Sequence, residues 1–236
     1  MSILNRGWIY DSITRNRDEG SVPYRWTHSA SDTYMGAGIF YFAIPYFLKA
    51  RTCVCLGSGG GYVPRLMLDA TWELGETNMY SEGETGEVYV VDATNGVNGE
   101  VDWSDGDSFL RENFNPRFLN MTTEEAFYNF FVNRDINIDY LHIDADHTYE
   151  GCKLDFDLYS TLMKENGIIS IHDTDSKYWD NFETYDGEEH DECTGPNELV
   201  DEIIKSGKWE VFNLFDFKEK SEKISSSGLT LLRKTS

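Results

Sequence analysis

The sequence predicts an α/β fold built on a mostly parallel sheet, and three observations carry that reading. Ile138 to Ile143 and Ile168 to Ile171 are apolar enough for buried strands, and between them Cys152, Phe156, Tyr159 and Met163 recur at helical spacing, with Gly167 as a stop signal. Such a strand-helix-strand unit crosses over right-handed, which makes its strands parallel and puts both carboxyl ends on one sheet edge, where open α/β sheets take ligands. A second unit starts at Thr52 to Leu56, which runs directly into the glycine turn Gly57-Ser58-Gly59-Gly60-Gly61 and then a helix. Finally, 236 residues with 40% apolar content suffice for one substantial core, so a single folded domain is expected.

Taken in order, residues 1–33 read as an irregular arm, because Trp8, Tyr10, Tyr24 and Trp26 follow no sustained period; packing against the core is the expectation, with a lid as the alternative. The domain proper starts at residue 34. Tyr34 to Ala50 is a nearly all-apolar buried helix despite Pro45, and the helix after the glycine turn shows one face at Val63, Leu66, Met67, Ala70 and Leu74. Val88 to Val91 is a strand ending at Asp92, Thr94 to Pro116 a polar loop, and Phe118 to Met121 a short strand. Thr122-Thr123-Glu124-Glu125 has the form of a capping box opening a helix with Phe127, Phe130 and Phe131 on its apolar face. Past the central unit, Thr174 to Thr194 is an acidic loop, and Asn197 to Ser206 is a helix stopped by Gly207. Trp209 to Phe215 and Gly228 to Leu232 read as a terminal hairpin.

Two constellations carry chemistry. In the glycine turn, residues without Cβ let backbone N–H groups approach a ligand, and Asp92, one strand later, could accept hydrogen bonds from ribose hydroxyls. The third glycine of a dinucleotide fingerprint is replaced by Tyr62, and no Lys-Ser or Lys-Thr pair follows, so the ATPase phosphate loop is absent. The second constellation is acidic. Asp144, Asp146 and His147 leave one strand, and His172, Asp173 and Asp175 leave the next, at the same sheet edge. Their simplest alternative role is as solvated strand ends.

Order and motifs together resemble class I S-adenosylmethionine-dependent methyltransferases, a three-layer Rossmann-like fold whose mostly parallel seven-stranded sheet ends in an antiparallel hairpin. The resemblance runs from about Tyr34 to the C-terminus. HIDADHTYEGCKLDF and GIISIHDTD are similar to the metal-dependent O-methyltransferases of sugars and antibiotic intermediates, such as the macrocin and rhamnosyl enzymes, and CVCLGSGGGYVPRLM to their cofactor loop. The resemblance implies that Gly57, Ser58, Gly59, Gly61, Asp92 and Asp144 lie on the cofactor. It also implies that Asp144, His172 and Asp173 hold a divalent metal, Mg²⁺ foremost and Mn²⁺ next, with His147 or Asp146 as the base. An imidazole of ordinary pKa near about 6.5 is the stronger base at neutral pH, which favours His147. The acceptor it implies is a hydroxyl-bearing small molecule.

Two other classes compete. His142, Asp144 and His172 imitate the two-histidine, one-carboxylate triad of non-haem iron oxygenases, and a cofactor-binding protein without catalysis would need only the glycine turn. The formal charge of −22 argues against nucleic acid and anionic membranes as partners. Ile39 to Leu48, the longest apolar run, is too short to span a bilayer, and Cys53, Cys55, Cys152 and Cys193 lack zinc spacing. A cytoplasmic protein with reduced thiols is therefore expected. Self-association is left open by the sequence.

Overall fold

The computed structural model describes residues 28–30, 35–77, 79–80, 86–94, 115–176, 194–215 and 226–235. Most of the arm, the polar loop after Thr94, most of the acidic loop after Thr174 and Cys193 therefore lie outside the described residues. Seven strands form one sheet: β1 (Thr52–Leu56), β2 (Glu87–Val91), β3 (Arg117–Leu119), β4 (Ile138–Ile143), β5 (Met163–His172), β6 (Trp209–Leu214) and β7 (Leu229–Lys234). Their order is β3-β2-β1-β4-β5-β7-β6. All neighbours from β3 to β5 are parallel, whereas β7 runs antiparallel to both β5 and β6. The order reverses between β1 and β4. Crossovers leave in opposite directions there, which is where open α/β sheets take ligands, at the carboxyl ends of the two strands.

Alternation along the strands sorts the core into two layers. Cys53, Cys55, Val88, Val90 and Tyr140 face α1 (Gly38–Leu48) and α2 (Tyr62–Glu76). Val54, Leu56, Tyr89, Val91, Leu141, Ile143, Ile169 and Ile171 face the other side. There they meet α3 (Thr123–Ala126), α4 (Tyr149–Tyr159) and α5 (Gly195–Ser206). The result is the three-layer sandwich that the sequence predicts.

The capping box at the start of α3 is present: Glu125 N–H donates to Thr122 Oγ1, and Thr122 N–H to Glu125 Oε2. Beyond Ala126 the helix widens into a π turn over Phe127–Phe131, which lets Phe127 and Phe131 both bury. Gly207 ends α5 in the left-handed conformation, as expected of a helix stop.

Two expectations are corrected. The first helix starts at Gly38 rather than Tyr34, because Gly36 turns the chain at φ +53° with its backbone against His28 and Ser29. The helix of the central unit ends at Tyr159, and Met163 already belongs to β5, paired with Ile138. Gly167 is thus no helix stop. It lies within a strand whose register shifts after Met163, where Asn166 takes φ +67°.

Candidate active site

The glycine turn lies at the carboxyl ends of β1 and β4. Gly57 takes φ +80°, and a Cβ there would lie 2.0 Å from the Asp144 carbonyl oxygen, so only glycine lets the turn pass this closely under the end of β4. Its N–H donates to Val91 O at 2.9 Å, while Asp144 N–H donates to Leu56 O. Gly59 takes φ +46°, and a Cβ there would meet nothing within 4 Å, so the turn is open on that side. Gly61 caps α2 in the left-handed conformation.

Asp92 sits beside this turn. Its Oδ2 accepts Ser58 N–H at 2.9 Å and Ser58 Oγ–H at 2.6 Å, and its Oδ1 accepts Thr94 N–H at 2.8 Å. The carboxylate therefore braces the loop. A ligand hydroxyl that binds there must share these donors' acceptor.

Across the Gly57 contact lies a polar cluster that the two parallel strands build. His147 Nε2 is 2.7 Å from Asp173 Oδ2 and 3.3 Å from Asp144 Oδ1. His172 Nδ1 is 3.1 Å from Asp173 Oδ1 and 3.3 Å from Asp144 Oδ1. Asp173 reaches this position with φ +59°, a conformation rare outside glycine but tolerated by Asp. The sequence-predicted Asp144, His172, Asp173 and His147 are thus brought together.

Charge distributes in a definite way. Burial would raise the Asp144 and Asp173 pKa values, but His172 and the hydrogen bonds from their other histidine neighbours outweigh it and hold both below the usual carboxylate range. Burial lowers His147, yet its hydrogen bonds to Asp144 and Asp173 push it up to about 11. His172 is likewise lowered by burial and raised by Asp173 and Asp144 to about 10. Two protonated imidazoles therefore balance two carboxylates. A free imidazole base at neutral pH is the sequence expectation for His147. Its contacts with the two carboxylates raise its pKa instead.

Asp146 goes elsewhere. Its Oδ1 accepts Thr148 N–H at 2.8 Å, and its carboxylate packs over Gly151, on the first turn of α4. His142 lies wholly buried inside β4, with Nδ1 2.8 Å from Ser170 Oγ and Nε2 3.6 Å from Asp144 Oδ2. Among the described residues, the sets able to hold an ion are Asp144, His147 and Asp173, and His28, Asp144 and His172. His142 is in neither set.

Sequence reasoning missed His28. It belongs to the arm, where no period marks it, and its ring lies 4.1 Å from that of His172. The residue is held there by an antiparallel bridge to Ser226, by Ala37 N–H donating to its carbonyl, and by Tyr41 Oη, 3.0 Å from Nδ1.

Against known proteins, the family described as "Methyltransferase domain" matches residues 54–174, slightly more than half of the chain. The chain belongs to this methyltransferase-domain family. No curated protein matches it. Among solved structures, the methyltransferase domain resembles an O-methyltransferase from Bacillus cereus in complex with SAH, at TM-score 0.67 and 16% identity, over 99% of this chain and 93% of that one. A putative O-methyltransferase from Klebsiella pneumoniae gives TM-score 0.63 and 13% identity, over 97% and 90%. TomG, an O-methyltransferase from Streptomyces achromogenes involved in tomaymycin synthesis and solved with SAM, gives 0.63 and 12%, over 97% and 89%. The fold is thus the Rossmann-like methyltransferase sandwich with its antiparallel C-terminal pair.

Proposed function

We propose that the domain transfers a methyl group from S-adenosylmethionine to a hydroxyl of a small molecule, assisted by a divalent cation. The observation that carries this reading is one shared edge: a glycine turn with open space at Gly59 and a carboxylate at Asp92, joined through the Gly57–Asp144 contact to a buried Asp/His cluster. Family membership and the SAH and SAM complexes of structures with the same fold support the cofactor.

The residues fit both groups. Gly57, Ser58, Gly59 and Gly61 would let the cofactor approach the backbone, and Asp92 would take its ribose hydroxyls. Asp144 and Asp173 would hold the divalent cation, with His172 turned to both carboxylates through Nδ1. When bound, S-adenosylmethionine would supply an activated methyl, and a divalent cation would supply Lewis-acid activation of a hydroxyl.

The remaining work falls to side chains of this chain. His147, 35% exposed, is the cluster member that reaches the rim, and its Nε2 is the atom placed to take the acceptor's proton. Asp144 and Asp173 face that same nitrogen and would stabilise the imidazolium that results. Asp146 orients the first turn of α4, which carries His147 at its entry.

The test is transfer of labelled methyl from S-adenosylmethionine to a panel of sugars, phenols and catechols, with and without chelator. Turnover that stops with chelator and returns with an added divalent ion supports the proposal; chelator-resistant turnover removes the metal from it.

A further inference from the structure

We infer that His28 is a metal ligand, which with Asp144 and His172 makes a site for a borderline divalent transition ion such as Zn²⁺, Co²⁺ or Fe²⁺ rather than Mg²⁺. The inference deepens the proposed function and rests on its placing of a cation at Asp144.

Four of the chain's five histidines, His28, His142, His147 and His172, gather around Asp144 and Asp173. Hard ions such as Mg²⁺ need oxygen ligands, whereas imidazole nitrogen suits zinc, iron and their neighbours. Within the cluster, one ligand atom each from His28, Asp144 and His172 lies within 4.8 Å of the others, so one ion can touch all three.

The outer contacts are those that ligating histidines need. A metal-bound imidazole hands its second nitrogen's proton to a fixed acceptor, which sets the tautomer and the ring orientation. His28 Nδ1 has Tyr41 Oη at 3.0 Å, leaving Nε2 for the ion. His172 Nε2 has Ser227 Oγ at 3.2 Å, leaving Nδ1, the nitrogen already turned to Asp144.

An independent sign comes from His142. Its Nε2 is buried and faces Asp144 Oδ2 from 3.6 Å. That carboxylate is the one both candidate ion sets share, so a third imidazole backs it from within the core. His28 itself is only 4% exposed and is fixed on its carbonyl, its backbone bridge and its ring. It is thus positioned before any ion arrives.

The experiment titrates the full chain, ¹⁵N-labelled at histidine, with Zn²⁺ and reads which imidazoles shift; Co²⁺ absorption and bound-metal analysis are repeated for His28→Gln and Tyr41→Phe. The expected result is one ion, shifts at His28 and His172, affinity lowered by about 100-fold or more in His28→Gln, and lowered by roughly 10-fold in Tyr41→Phe. Wild-type binding with the His28 resonances unmoved overturns the His28 assignment, even if His28→Gln fails to fold, and leaves a cation at Asp144 and Asp173 standing. Absence of any stoichiometric ion overturns both this assignment and the metal in the proposed function. Binding of Mg²⁺ in preference to Zn²⁺ and Co²⁺ also refutes the assignment.

Discussion

Replacing Asp155 by Asn should stabilise the protein at pH 8 by up to about 4 kcal/mol and leave it nearly unchanged near pH 4. Asp155 sits on α4 with 1% of its surface exposed, and its Oδ2 has no hydrogen-bond partner. Burial raises its pKa to about 7, against the opposing pull of a Thr123 hydrogen bond. An unfolded chain would hold this group near about 3.9, and each pH unit over which the two states differ by one proton is worth about 1.4 kcal/mol. The folded form binds the extra proton between those values. Its contribution is therefore fully present below about pH 4 and is lost as pH rises through about 7. His147 and His172, with raised values of about 11 and 10, also make stability fall above about pH 6.5, so the difference between wild type and variant is the quantity to read. Urea unfolding of both proteins at pH 4.5, 6, 7 and 8 measures it. A difference that stays flat across that range would refute the claim that Asp155 is buried without adequate partners.

Gly57→Ala should destabilise the domain and loosen the turn, since its Cβ would fall 2.0 Å from the Asp144 carbonyl at a φ of +80°; an unchanged melting temperature would contradict this close approach. Asp92→Ala should weaken S-adenosylhomocysteine binding by about 1.5–3 kcal/mol, and, because Ser58 and Thr94 lose their acceptor, raise the exchange rate of their amides. Equal affinity by calorimetry would remove Asp92 from the cofactor site. His147→Ala should lower kcat by roughly 10²–10⁴ while Asp146→Asn costs much less, since an amide oxygen still accepts the Thr148 N–H; the reverse ranking in kcat would move the proton-accepting role to Asp146.

Where local chemistry decides the structure, the sequence is legible. The strand, glycine turn and helix from Thr52, the capping box at Thr122 and the stop at Gly207 all depend on neighbours within a few residues, and all are present. The parallel crossover also brings Asp144 and Asp173 together, since topology dictates which strand ends share an edge. Met163 and Gly167 mislead because helical spacing can continue by chance past a true end, and only pairing with Ile138 shows that the chain has already entered β5. Asp146 looks equivalent to His147 because the two are adjacent, yet the Thr148 amide captures its carboxylate. His28 is invisible for a different reason. Its position depends on contacts with Tyr41, His172 and Ser226, all distant in sequence, in a stretch without periodicity. A histidine in an otherwise polar arm is the one signal the sequence offers.

The central claim is that the glycine turn is a cofactor site, and calorimetric titration of S-adenosylhomocysteine into wild type and Gly59→Val tests it most directly. The open space beside Gly59 predicts one-to-one binding by wild type, and filling it, together with the strain of a β-branched residue at φ +46°, predicts loss of binding in the variant with the overall fold retained by circular dichroism. Absence of binding by wild type, or equal affinity in a folded Gly59→Val protein, would contradict the account.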